Sequence, residues 1–200
     1  MIPRSPLGAH LTPGRHGCPD GAAGVTLTER ASFAAASIAA RGAGMAAHLQ
    51  AAYGVAPPPR PGRAASGPIA LIWTAPGQWL ALDESRAGLA RFAFARELAA
   101  ALGGMASVTD LTGARAVLRL SGPAAVEVLR RLVPVDVDEE VFGPNAAALT
   151  LASHIGVTLW RVPDAAPTYE IACYRSFAES LADAVLDAAA EFGCNVTPPR

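Results

Sequence analysis

Two hundred residues suffice for one domain, or two small ones, with a real core. The chain is 52% hydrophobic, largely alanine, and 16% charged, with a formal net charge of −1. Every basic residue except histidine is an arginine, which excludes Schiff-base chemistry and a P-loop lysine within this chain, and no basic cluster offers a non-specific nucleic-acid surface.

In chain order, residues 1–23 are rich in proline, glycine and polar residues and show no periodicity, so they read as a flexible arm. The arm holds His10, His16 and Cys18, whose spacing suits a plain tail better than a metal site. It has no apolar h-region, and no run approaches the roughly 20 apolar residues of a membrane span, so a cytoplasmic location is expected. A small-residue strand with Phe33 and Ile38 spans 32–39. Gly42 and Gly44 open a short helix to Tyr53, with Gly54 as its cap. The proline-rich stretch 57–68 excludes helix and interior strand. Strands at 69–73 and 78–82 flank Pro76-Gly77, the central pair of a type II turn. Asp83 or Ser85 is expected to cap a helix to Leu102, with Leu89, Phe92, Phe94, Leu98 and Leu102 on its apolar side.

Two further strands, "ASVTDL" and "ARAVLRL", meet at Thr112-Gly113. In the second, Ala116, Leu118 and Leu120 alternate with Arg115, Val117 and Arg119, which predicts one apolar face and one basic face that is wet or turned to a partner. Pro123 is expected at the first position of the next helix, and Pro134 ends it. Strands are expected at 146–151, 155–161 and 168–173, with His154 at the start of one, and a helix closes the pattern. The order from 32 to 111 is the ferredoxin-like βαββαβ, and 115–192 begin a less regular version of it. The fold class is therefore α+β, with helices on one face of mostly antiparallel sheets. A single domain is expected over 24–193, followed by a tail at 194–200.

Reactive chemistry is sparse. The three cysteines, Cys18, Cys173 and Cys194, form neither a disulfide framework nor a zinc motif. In "EIACYRSFAES", Ser176 and Glu179 have the S-x-x-E spacing of a helix capping box. Cys173 shares strand parity with Tyr169 and Ile171, so its thiol is expected to face inward. No catalytic, cofactor-binding or metal-binding residue is assigned.

The features left over concern surfaces. Glu179, Asp183, Asp187 and Glu191 recur every four residues with no basic residue in their helix, as a solvated acidic face or as a docking face for a cationic surface. Arg175 sits where its charge does not help the helix dipole and suits tertiary or intersubunit pairing. Trp73 and Trp79 flank the turn, as hairpin packing or as a partner platform. With Arg115 and Arg119, these residues make up the candidate subunit interface.

Several stretches together resemble the gamma subunit family of heterotetrameric sarcosine oxidase: "GVTLTE" (24–29), "ARG" (40–42), "IWTAPGQWLAL" (72–82), "VTDLTGARAVLRLSGPAAVEVLRRLVPVDVD" (108–138) and "RSFAESLADAVLDAAAEFG" (175–193). The resemblance covers 24–193. It implies a cytoplasmic complex with alpha, beta and delta subunits that oxidatively demethylates sarcosine to glycine with oxygen. The products include hydrogen peroxide and, with tetrahydrofolate, methylenetetrahydrofolate. It places FAD, FMN and NAD in the large alpha and beta subunits and zinc in the delta subunit, with no cofactor on this chain. It further implies kinship with the folate-binding aminomethyltransferase domain of the glycine cleavage T-protein. The chain departs from the family pattern after Phe142, where Thr150 is followed by Leu151 in place of an expected Thr-Arg pair. An independent folate-binding or aminomethyl-transfer protein and a free-standing scaffold are the alternative readings.

Overall fold

The structure, a computed structural model, describes residues 5–86 and 92–200. In chain order the elements are β1 (Gly14–His16), β2 (Val25–Arg30), β3 (Ala34–Ala40), α1 (Met45–Tyr53), β4 (Arg63–Ser66), β5 (Ile69–Ala75), β6 (Gln78–Asp83), α2 (Ala93–Leu102), β7 (Ala106–Asp110), β8 (Arg115–Ser121), α3 (Ala125–Leu132), β9 (Ala147–Ala152), β10 (Ile155–Val162), β11 (Thr168–Tyr174), α4 (Ala178–Ala189) and β12 (Cys194–Thr197). Where a single domain is expected, the chain groups into two compact units. One is Ser32–Ala114; the other joins the residues up to Ala31 to Arg115–Arg200.

The inserted unit, Ser32–Ala114, is a five-stranded antiparallel sheet in the order β4-β5-β6-β3-β7. This is the ferredoxin-like arrangement with β4 added at one edge, the only kind of strand position that a proline-rich approach tolerates. Leu49 of α1 and Phe94, Leu98 and Leu102 of α2 bury their side chains with Ala36 and Ile38 of β3, Leu71 of β5 and Ala81 of β6. Each such large side chain contributes about 1.5–3 kcal/mol by leaving water. Gly54 takes the left-handed cap expected of it, φ 67°. The second helix starts later than expected. Asp83 accepts hydrogen bonds from Ser85 and Arg86 instead of capping, and α2 begins only after Phe92, which is exposed with φ 65°. Leu89, expected on its apolar side, lies outside the described residues.

The flanking unit carries a seven-stranded sheet in the order β1-β12-β2-β8-β11-β10-β9, antiparallel except where β12 meets β2. Its run β8-α3-β9-β10-β11-α4-β12 repeats β3-α1-β4-β5-β6-α2-β7 element for element. The spatial order matches as well. Without β1 and β2, the larger sheet reads β12-β8-β11-β10-β9, the counterpart of β7-β3-β6-β5-β4. The second half is thus a full repeat with β2 wedged between β12 and β8. The wedge needs a close backbone approach at Gly122, where a Cβ would meet the Gly24 carbonyl oxygen at 2.6 Å. The Ala124 N–H then donates to that oxygen at 3.0 Å.

Both chain ends differ from expectation. Among the described residues of the expected arm, Leu7 and Leu11 are buried in the core of the flanking unit, and β1 pairs with β12. The expected tail supplies β12 itself. Two leucines and a few backbone pairings suffice to order a segment whose glycines and prolines leave no periodic signal. Smaller corrections concern Pro123, which precedes α3 by two residues, and His154, which lies in the β9–β10 turn. Ser153 and His154 there both have left-handed φ, 42° and 73°, as a two-residue hairpin turn requires.

Candidate interaction site

The basic side of β8 is not a wet face. Ala116, Leu118 and Leu120 enter the core as their alternation demands, yet Val117 on the opposite side is also fully buried. The register sets Arg119 between Thr28 of β2 and Glu170 of β11. Arg119 donates to Glu170 Oε1 through Nε at 2.9 Å and lies at 2.7 Å through Nη2. Arg30 donates to the same oxygen, and Trp160 Nε1 donates to Oε2 at 3.0 Å. Glu170 is only 3% exposed. A carboxylate so enclosed is tolerable because two guanidinia and an indole N–H replace its water. The sequence carried this cluster only as parity: Glu170 alternates with Tyr169 and Ile171, so it joins the arginine face once β11 pairs with β8.

Arg115 is different. Its guanidinium carbon lies 3.9 Å from the centre of the Tyr174 ring, its cross-strand neighbour. Its Nε is enclosed and has no acceptor among the described residues. Arg175 turns its Nη2 to the Ser5 carbonyl oxygen at 3.1 Å, which helps hold the N-terminal segment.

The acidic stripe of α4 is partly matched within the chain. His10 Nε2 lies 2.8 Å from Asp183 Oδ1, and its Nδ1 lies 4.0 Å from Glu179. Arg131, in the last turn of α3, pairs with Glu191 just beyond the end of α4. Asp187 has no side-chain partner among the described residues and lines an open groove with Arg131, Ser153, Ser180 and Asp183. Arg115 and Arg119 are engaged on the sheet instead, with Tyr174 and Glu170.

Ser176 does not form the expected capping box. Arg175–Phe177 make a 3-10 turn, Phe177 is the N-cap of α4, and no side chain caps it. The start is one residue later than the motif implies, which moves Glu179 to the second helical position and breaks the box spacing. Cys173 faces inward as its parity demands, fully buried. Burial pushes its thiol up to about 11, against the opposing effect of Arg115. Burial does the same for Cys194, also to about 11. Such thiols are not nucleophiles at neutral pH.

In the inserted unit, Trp73 and Trp79 stand opposite each other on β5 and β6. Trp79 is buried and donates its indole N–H to the Pro58 carbonyl oxygen at 2.8 Å, while Trp73 is half-buried against the same core. The buried carboxylates are also engaged: Glu29 accepts from the Ser5 hydroxyl, and Asp83 accepts from Ser85 and Arg86. Arg86 further holds Glu97 below the usual carboxylate range by hydrogen bonding. Among the described residues, no group of three or more His, Cys, Asp and Glu is placed to hold a metal ion. No helix among the described residues is long and apolar enough to cross a membrane.

The fold and these groups define a two-unit α+β scaffold whose titratable side chains are mostly spent on holding the structure. Its fold is shared with part of an aminomethyltransferase. The glycine cleavage system aminomethyltransferase T from Bartonella henselae superposes with a TM-score of 0.58 at 19% identity, over 99% of this chain and 53% of that one. The sarcosine oxidase, gamma subunit family model matches residues 37–191, and the chain belongs to that family. A relative from Arthrobacter sp, "Sarcosine oxidase subunit gamma", is 42% identical over 123 residues, 59% of this chain. The match spans only 58% of that relative's length. A chain of heterotetrameric sarcosine oxidase from Corynebacterium sp. U-96, solved in complex with pyrrole 2-carboxylate, has a TM-score of 0.80 at 32% identity, over 96% of this chain and 97% of that one.

Proposed function

We propose that this chain is the gamma subunit of a heterotetrameric sarcosine oxidase and works there as an assembly subunit. The complex oxidatively demethylates sarcosine to glycine with oxygen, yielding hydrogen peroxide and, with tetrahydrofolate, 5,10-methylenetetrahydrofolate. FAD, FMN and NAD reside in its alpha and beta subunits and zinc in its delta subunit, in the cytoplasm. The observation that carries this reading is the end-to-end likeness to a chain of such an oxidase. The chemistry of the site agrees with it, because the buried thiols are held protonated and the buried carboxylates already have partners inside the chain. The interface is drawn from the acidic face of α4 around Asp187, with Glu179, Asp183 and Glu191 beside it, and from the Arg115, Arg175 and Trp73 surfaces. Arg119 and Trp79 support the fold beneath. Co-expression with the alpha, beta and delta subunits of a sarcosine oxidase from the same organism tests the reading. The chain is expected to co-purify in equal proportion with them, and its omission to lower the yield of assembled oxidase. A chain that stays monomeric in their presence overturns the reading.

A further inference from the structure

The sheet face that carries Glu170 is uneven in charge. On β2, β8 and β11 that face bears Arg30, Arg115 and Arg119 but a single carboxylate, Glu170. Glu170 is used by Arg30 and Arg119. Arg115 is left with an aromatic ring and with an enclosed Nε that has no acceptor among the described residues. An arginine wholly in water makes no such demand, but a guanidinium partly withdrawn from it keeps unmet donors. Beside it the Tyr174 ring is 55% exposed, and Phe177, three residues on, is 47% exposed. Tyr, Phe and Arg are residue types enriched at protein interfaces, and Tyr174 already stacks on Arg115.

We propose that Arg115 and Tyr174 form the anchor of a docking site for a segment of a partner subunit that presents a carboxylate beside an apolar side chain. The carboxylate meets the guanidinium left without an acid, and the apolar group covers the ring that Arg115 already stacks on. The choice of occupant follows from charge complementarity: the local excess is positive, and an acidic group meets the outer nitrogens of the guanidinium, the enclosed Nε lying beyond its reach. This inference rests on the reading of the chain as a subunit of an oxidase complex.

The test measures association of the full chain with the co-purified alpha, beta and delta subunits at low and high salt, using Arg115→Met and Tyr174→Ser. Arg115→Met keeps the stem and removes the donors, so the isolated chain is expected to melt at the wild-type temperature or slightly above. Its Kd for the other subunits is expected to rise at least tenfold at low salt, with a smaller dependence on salt than wild type. Tyr174→Ser, at an exposed position that the fold tolerates, is expected to weaken association by a similar factor. If wild type associates and both variants associate equally well, the inference is overturned and the subunit reading stands. If Arg115→Met lowers the melting temperature of the isolated chain by several degrees, Arg115 is a structural residue and the inference is overturned. If wild type itself does not associate, the subunit reading falls and takes the inference with it.

Discussion

Glu170 of β11 stands directly opposite Arg119 of β8, and the two are joined by Nε at 2.9 Å and Nη2 at 2.7 Å to one carboxylate oxygen. With Arg30 on the same oxygen and Trp160 on the other, this is a buried ion cluster whose parts depend on one another. Glu170→Gln removes the charge and leaves the largely buried guanidinium of Arg30 and the partly buried one of Arg119 facing each other. The expected loss is about 3–5 kcal/mol, the usual cost of breaking a buried pair from one side. Replacing the three charges together with Arg30→Met, Arg119→Met and Glu170→Leu is expected to cost less, since the facing guanidinia are gone, although the buried Trp160 indole N–H then loses its acceptor. Urea unfolding of the two variants checks the contrast; equal losses would show that packing, not charge, dominates at this position.

The N-terminal segment is part of the flanking unit. Leu7 is 2% exposed, its N–H lies within hydrogen-bond reach of the Ser5 hydroxyl and of Glu29, and Leu11 joins the same core. Leu7→Ala is therefore expected to destabilise the chain by about 2–5 kcal/mol, as buried leucine truncations do. A loss below about 0.5 kcal/mol, typical of an exposed position, would mean that the segment does not pack there in solution.

Much of the fold was legible because its strands alternate cleanly and its turns carry their own chemistry. The βαββαβ order of the inserted unit follows from "IALIW", Pro76-Gly77 and Gly54, and the inward Cys173 follows from parity alone. Three things were not legible, each for a local reason. The strand Val25–Arg30 is short and borders a glycine-rich stretch. Strand β12 is four residues long and is followed at once by two prolines. The wedge of β2 between β8 and β12 is a long-range pairing that no local pattern encodes. At Ser176 the motif misled, because a 3-10 turn moves the helix start by one residue. Ser176→Ala is accordingly expected to change stability by less than about 0.5 kcal/mol, where a true N-cap would cost about 0.5–2. A thermal or denaturant melt distinguishes the two.

The buried thiols give the chain an alkaline limit. Cys173 and Cys194 ionise at about 11 when folded against 9.0 ordinarily, because burial disfavours the thiolate. Between those values the unfolded chain releases protons that the folded chain retains, so the folded state binds more protons and stability falls as pH rises. Stability is expected to be insensitive to these thiols below about pH 9 and to decline from there toward about pH 11. Cys173→Ala and Cys194→Ala together should flatten that decline while costing stability at neutral pH. In the folded wild type at pH 8, a thiol reagent is expected to leave both cysteines unmodified and to reach them only on unfolding. Rapid labelling of either in the native chain would contradict the burial argument.

The acidic stripe of α4 separates into groups with different duties. Asp183 lies 2.8 Å from His10, and Glu191 pairs with Arg131, so both help to fasten other parts of the chain to α4. Asp187 lies one turn from each and has no side-chain partner among the described residues, although it borders the groove near Arg131. Like charges at i, i+4 spacing repel by a few tenths of a kcal/mol per pair. Asp187→Asn is thus expected to leave the isolated chain as stable as wild type or slightly more so. Asp183→Asn keeps an acceptor for His10 but loses the charge, and is expected to cost up to about 1 kcal/mol, the ceiling for an exposed pair. If α4 docks on a cationic surface of another subunit, Asp187→Asn also weakens assembly at low ionic strength and has little effect at high ionic strength, where such attraction is screened. Thermal melts of the isolated variants, set beside co-purification with the alpha, beta and delta subunits at two salt concentrations, separate the two duties. Should Asp187→Asn assemble as well as wild type at low salt, the groove side of α4 is a solvated face, and the contact with other subunits lies elsewhere on the chain.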